Sequence, residues 1–290
     1  MRLLNAQTPD HDHDKKILGI LDFAGTLSID TVLFARDESL TRALAESGLA
    51  AMGIKDPETF FKELIAPTWE EGSTTTAGYA NVLSSQIKKI IAGRKKCPPE
   101  SQIREAATNF TRCYFAGSGI DRHWQPVLEY LGSKNNVDTV IASDHYAEAT
   151  GHILKELADM GIEAVPAGKT PIKKDIITVA NSADLGFHKS TREFWTALDK
   201  SLGSPCYNQI LLIDDFGFNE QEQDLYGGKK KALTRREQIT AMLNEIFSAE
   251  LNVFPFFLED PSGEERLIKN NYHRLIEQAG TYIKTILDCG

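Results

Sequence analysis

Residues 16–27, Lys-Ile-Leu-Gly-Ile-Leu-Asp-Phe-Ala-Gly-Thr-Leu, decide the fold. Ile17 to Leu21 are continuously apolar, the run stops at Asp22, and Gly25 follows at once. An apolar run closed by a carboxylate and a glycine turn reads as a strand buried on both faces, the habit of a parallel sheet. Three further runs repeat the pattern: Val137 to Ser143, Ile210 to Ile213 with Asp214 and Asp215 behind it, and Val253 to Leu258. Amphipathic stretches lie between them, HWQPVLEYLG and AEATGHILKELADMG around the second run, TREFWTALDKSLG and ALTRREQITAMLNEIFSAE around the third. Strand and helix in alternation predict an α/β fold, a Rossmann-like parallel sheet covered by helices on both faces.

The rhythm breaks between residues 34 and 119. That stretch reads as helix after helix with no buried strand, with Asp37 and Asp56 as N-caps and Gly48 and Gly53 as stops. It is too long for a crossover connection. The expected organisation is therefore a core of residues 1–33 and 120–290 carrying an α-helical cap of residues 34–119. Within the cap, EEGSTTTAGY (Glu70 to Tyr79) reads as a loop between helices, with Trp69 and Tyr79 as cap core or site lining. The last stretch has apolar residues at helical spacing (Leu267, Tyr272, Leu275, Ile276, Ala279, Ile283) and predicts a closing helix against the core.

Composition narrows the function. The chain has 290 residues, 32 Lys plus Arg against 41 Asp plus Glu, and a net charge of −9. Such a balance does not build the basic stripe that nucleic acid requires. No apolar run approaches the ~20 residues of a membrane span, and the four scattered cysteines form no CxxC pair. A cytoplasmic protein with reduced thiols, monomeric or homodimeric, and with neither nucleic-acid nor membrane partners, is expected. His11 to Asp14 (HDHD) read as a mobile leader with at most weak affinity for metal. Lys169, Lys173 and Lys174, and the GGKKKALTRR run near Lys229, read as solvated surface.

Ligands of an open parallel sheet bind beyond the carboxyl ends of its strands. Three ends here are polar: Asp22, Ser143, and the Asp214–Asp215 pair. If these strands are neighbours, three carboxylates converge and call for a cation. Hard oxygen donors suit Mg²⁺, and a carboxylate nucleophile beside it suits phosphoryl transfer.

These motifs, in this order, resemble the haloacid dehalogenase (HAD) superfamily. LGILDFAGTL matches its first motif, TVIASD its second, SADLGFHKSTREFWTAL its third through Ser182, Gly186 and Lys189, and LLIDDFGFN its fourth. The resemblance implies Mg²⁺-dependent hydrolysis of a small phosphorylated metabolite through an aspartyl-phosphate. It implies Asp22 as nucleophile and metal ligand, with the Ala24 carbonyl, Asp215 and Asp214 completing the protein's share of the metal site. Ser143 and Lys189 would hold the transferring group, Gly25, Thr26 and Asp144 would line its cradle, and Asn219 would stand behind the metal.

One position departs from the pattern. HAD phosphatases carry an aspartate where this chain has Ala24, and that aspartate protonates the leaving group. Alanine cannot do so. Three readings follow: a phosphatase with its acid elsewhere, His145 being one candidate; a phosphonate C–P hydrolase, because the phosphonoacetaldehyde hydrolase branch also reads Asp-x-Ala-Gly-Thr and uses a cap lysine; or a non-catalytic binding or regulatory protein on the same scaffold. The C–P reading needs a buried cap lysine, for which Lys62 is preferred over Lys55. His123, His152 and His188 are scattered and show no metal-ligand spacing.

Overall fold

The structure, a computed structural model, describes residues 16–93, 97–168, 176–222, 224 and 226–288. The HDHD leader, Lys169, Lys173, Lys174 and Cys289 lie outside the described residues.

Six parallel strands form one sheet: β1 (Ile17–Asp22), β2 (Val137–Ser143), β3 (Ala164–Pro166), β4 (Ile177–Asn181), β5 (Gln209–Asp214) and β6 (Glu250–Pro255), in the order β3-β4-β2-β1-β5-β6. The α/β architecture is the one expected. Two strands were not: β4 is a short Ile-Thr-Val run, and β3 has three half-buried residues, too few to show a pattern. The last strand also begins earlier than its apolar run, at Glu250.

Strand side chains alternate between two cores. Ile17 and Leu21 of β1, with Leu211 and Ile213 of β5, face one layer, which includes Leu128, Ile153 and the C-terminal helix Glu265–Asp288. Leu18 and Ile20, with Ile210 and Leu212, face the other, built on Phe194, Trp195, Ile239 and Leu243. The C-terminal helix buries Ile268, Tyr272, Ile276, Ala279 and Ile283 at three- and four-residue spacing. Leu267 lies off that stripe and is exposed, contrary to expectation.

Between β1 and β2 the chain forms helices Asp37–Ser47, Tyr79–Ile91 and Glu100–Ala116, and a helical run from Pro57 to Thr74 that widens to a π-type turn over Phe60–Ile65. Gly48 and Gly53 end their helices in the left-handed region, and Asp56 caps the Thr59 N–H at 2.8 Å. Asp37 sits in the first turn of its helix rather than at the cap. Leu44, Leu64, Leu83, Ile87, Ala107 and Phe110 close a third core within this block. Glu70 to Thr74 are helical, not loop. Hydroxyls of that segment return to the carbonyls four residues back, Thr75 to Glu71 at 2.6 Å among them, which lets polar residues finish the helix. Among the described residues no helix is long and apolar enough to cross a membrane.

Candidate active site

The strand order places β2, β1 and β5 side by side, so Asp22, Ser143, Asp214 and Asp215 do share one sheet edge. Lys189 joins them from the turn that precedes helix Arg192–Ser201. Its ammonium donates to Asp22 Oδ1 and, at 2.9 Å, to Asp214 Oδ2. Its backbone is pinned on both sides: the N–H donates to Asp144 Oδ1 at 2.8 Å, and the carbonyl accepts from Trp195 Nε1 at 2.7 Å. Ser143 is 1% exposed, and its hydroxyl has no protein partner. A buried hydroxyl without a partner is costly unless a ligand supplies one.

The first loop is braced to hold Asp22. Gly25 takes φ +77°, and a Cβ there would lie 2.5 Å from Asp215 Oδ2, so only glycine lets the two turns approach. The Thr26 hydroxyl accepts the Asp215 N–H at 3.1 Å. The Thr26 carbonyl accepts from Trp124 Nε1 at 3.0 Å and from Tyr272 Oη at 2.7 Å. Neither Gly25 nor Thr26 is among the residues that line the cavity; both shape the loop that carries Asp22. Asp144 lines it, but Tyr226 Oη occupies its second oxygen at 2.8 Å. The Asn219 side chain donates to the Gly25 and Phe256 carbonyls and accepts the Leu258 N–H, which braces the loops behind the carboxylates.

Charge is unbalanced here. Asp22, Asp214 and Asp215 are buried, and each offers an oxygen within 4.8 Å of the others. Burial raises Asp22 well above the ordinary carboxylate range; Lys189 opposes the shift, and Asp214 and Asp215 add to it. Burial and then Asp214 push Asp215 up to about 7. One ammonium does not neutralise three buried carboxylates, and a hard divalent cation on their oxygens would. The donor set therefore fits Mg²⁺.

These groups open into a cavity of about 130 Å³ whose other walls are largely aromatic, among them Phe34, Phe61, Trp69, Tyr79, Tyr114 and Tyr226. The inserted helices supply most of that wall. Tyr79 stacks on Tyr146 at 3.8 Å, and Ser73 Oγ lies 2.6 Å from His188 Nε2, one residue before Lys189.

Two expectations fail. Lys62 is exposed and does not line the cavity. Phe60, Phe61, Leu64 and Ile65 take the buried positions of its turn, and the helical period turns Lys62 outward. Lys55 is exposed as well. His145 does reach the cavity, but burial, reinforced by His152, lowers its pKa to about 3. Its Nδ1 accepts the Tyr146 N–H at 2.8 Å, so the neutral ring carries its proton on Nε2, 2.7 Å from Tyr114 Oη. In that tautomer Nε2 is placed to donate to Tyr114 Oη, and burial disfavours the charged ring that acid catalysis would need.

Sequence reasoning missed Glu220. It is partly buried and lines the cavity with Asp22, Ala24 and Asp215. Burial raises its pKa well above the ordinary range, Asp224, Asp215 and Asp22 add to the rise, and Arg235 opposes it. The NEQEQD run behind Asp215 was the available signal. Arg235, also in the lining, donates to the Phe216 carbonyl and stacks 4.4 Å over the Tyr226 ring.

No family model matches the chain, and no curated protein is detectably similar to it. Among solved structures, YfnB from Bacillus subtilis, described as a HAD-hydrolase bound to magnesium, aligns at 14% identity with a TM-score of 0.43, over 90% of this chain and 99% of its own. A likeness that remote carries no argument about activity, which must rest on the site itself.

Proposed function

We propose that this chain is a Mg²⁺-dependent hydrolase of the HAD kind that releases phosphate from a small metabolite, with residues 34–119 acting as a cap over the α/β core. The observation that carries the reading is one cavity holding Asp22 against Lys189, the partnerless Ser143 hydroxyl, and the Asp214–Asp215 pair.

Asp22 attacks phosphorus through a carboxylate oxygen, and the bond from phosphorus to the leaving oxygen breaks. Lys189 and the Ser143 hydroxyl hold the non-bridging oxygens, where charge accumulates in the transition state. Water then attacks phosphorus and gives a proton to Glu220, left as a carboxylate by the first step; the bond from phosphorus to the Asp22 oxygen breaks, which returns the Asp22 carboxylate and releases inorganic phosphate. Mg²⁺, held by Asp22, Asp215 and the Ala24 carbonyl, would supply charge stabilisation at the phosphoryl oxygens. Glu220, whose pKa burial pushes above the ordinary range, lines the same cavity and is the group we assign to give the leaving oxygen its proton, a task Ala24 cannot perform. The aromatic wall suits a leaving group with an apolar or ring portion.

The C–P reading loses its support, because no lysine of the inserted helices lines the cavity among the described residues. Ala24 keeps one other reading open, a binding protein that holds phosphate without turnover. A panel of phosphate esters assayed with Mg²⁺ separates the two. Turnover that Asp22→Asn abolishes supports the hydrolase; binding without such turnover, together with gain of turnover in Ala24→Asp, supports the binding protein.

A further inference from the structure

The fold brings together two histidines that the sequence keeps 150 positions apart. Asp121 and His123 stand at the return from the helical insert, at the short turn Arg122–Trp124; His273 lies on the C-terminal helix. Asp121 Oδ1 is 2.7 Å from His123 Nδ1, and Asp121 Oδ2 is 3.0 Å from His273 Nε2. The two rings stack at 3.7 Å between centroids. One ligand atom from each residue falls within 4.8 Å of the others. Side-chain exposures of 59% for His123, 33% for His273 and 21% for Asp121 leave a path from solvent. The scattered histidines of the sequence are thus partly a cluster, one the proposed hydrolase does not use.

We propose that Asp121, His123 and His273 form a second metal site, which takes one borderline divalent cation of the Zn²⁺ type, with water in the remaining position. Two imidazole nitrogens and one carboxylate suit Zn²⁺ and do not suit Mg²⁺, which prefers an all-oxygen shell. The metal takes the place of the protons that the two rings direct at Asp121. Each ring then keeps its proton on the nitrogen facing away, so the imidazoles stay neutral. Ligand atoms of a tetrahedral zinc stand roughly 3.3 Å apart, given Zn–N of about 2.0–2.1 Å. The 2.7 Å contact must therefore open by about 0.6 Å and the 3.0 Å contact by about 0.3 Å, movements open to rings that face solvent.

Asp121 is ready as an anion. Burial works to raise its pKa, but the His123 N–H and the two rings hold it below the ordinary range. Lys269, one helical turn before His273, does not compete for it, being paired with Asp30 and Glu265.

The position gives the cation a role. Trp124 follows His123, Tyr272 precedes His273, and both side chains donate to the Thr26 carbonyl behind Asp22. The Asp121 N–H donates to the adjacent Leu27 carbonyl at 3.0 Å. A metal here would clip together the two segments that hold the nucleophile's loop. The inference does not depend on Asp22 being catalytic.

The test uses full-length, untagged, chelator-stripped protein in excess Mg²⁺. Zn²⁺ is titrated by calorimetry, and the imidazole ¹H–¹⁵N resonances are followed in parallel. One equivalent of Zn²⁺ should bind and raise the thermal midpoint. The His123 and His273 resonances should move together, and His123→Ala or His273→Ala should weaken affinity roughly tenfold or more, as loss of ligand-shell groups does. A His11→Ala/His13→Ala variant should bind as the natural chain does. The proposal is overturned if Zn²⁺ leaves the His123 and His273 resonances unmoved, or if binding is lost with His11 and His13 instead. The spectra of the natural chain decide the matter even should a variant misfold.

Discussion

In the folded chain the ammonium of Lys189 donates to the carboxylate of Asp22, 167 positions earlier in sequence. Both groups are about 7% exposed, and the same ammonium reaches Asp214. The pair is a structural element as much as a chemical one, because an unpaired buried charge costs more than a paired one returns.

Lys189→Met should therefore destabilise the protein by about 3 kcal/mol, the usual cost of removing one partner from a buried ion pair. Urea unfolding reads the change. The loss should shrink in acid, where protonation relieves the stranded carboxylates. An unchanged midpoint would mean that Asp22 and Asp214 do not depend on Lys189.

Glu220→Gln should slow turnover according to the leaving group. Esters of poor leaving groups need a proton at the departing oxygen, and their kcat should fall roughly a hundredfold, the scale of general-acid catalysis. Nitrophenyl-type leaving groups depart unaided and should be little affected. A uniform loss across both classes would assign Glu220 to structure instead.

Gly72→Ala should separate the helical insert from the core. A Cβ at Gly72 would lie 2.4 Å from Tyr146 Cε1, and the Tyr146 ring is already stacked on the Tyr79 ring. Overpacking of this kind costs about 1–3 kcal/mol. Trp69, edge-on to Tyr146 at 5.4 Å, should report the displacement by fluorescence; an unaltered spectrum with unaltered stability would contradict the tight fit.

Buried His145 sets a pH dependence. Its folded pKa is lowered to about 3 from an unfolded value near 6.5. Below that unfolded value the denatured chain binds a proton that the native chain refuses, so stability falls as pH drops towards 3, by up to ~1.4 kcal/mol per pH unit. His145→Asn should flatten this slope in urea midpoints followed from neutral pH into acid. A slope identical to that of the natural chain would show that His145 charges freely in the fold.

Much of the core was legible in particular residues. Ile17 to Asp22, Val137 to Ser143 and Ile210 to Asp214 announced themselves as buried strands, and their polar ends named the sheet edge where the carboxylates meet. Strand periodicity, glycine turns and helix stops act over a few residues, so a linear reading captures them. The outward turn of Lys62 was legible in the same way, since Phe60, Phe61, Leu64 and Ile65 already occupy the inward stripe.

What the sequence determined alone is therefore the α/β alternation, the helical insert between the first two long strands, and the identity of the acids at the strand ends. The tertiary structure decided the rest: that Lys189 reaches Asp22, that Glu220 and Ala24 line one cavity, and that His123 stacks on His273. The division has a physical cause. Backbone preferences and hydrophobic period are local, whereas each of these pairings joins separate segments whose approach is set by how the cores pack.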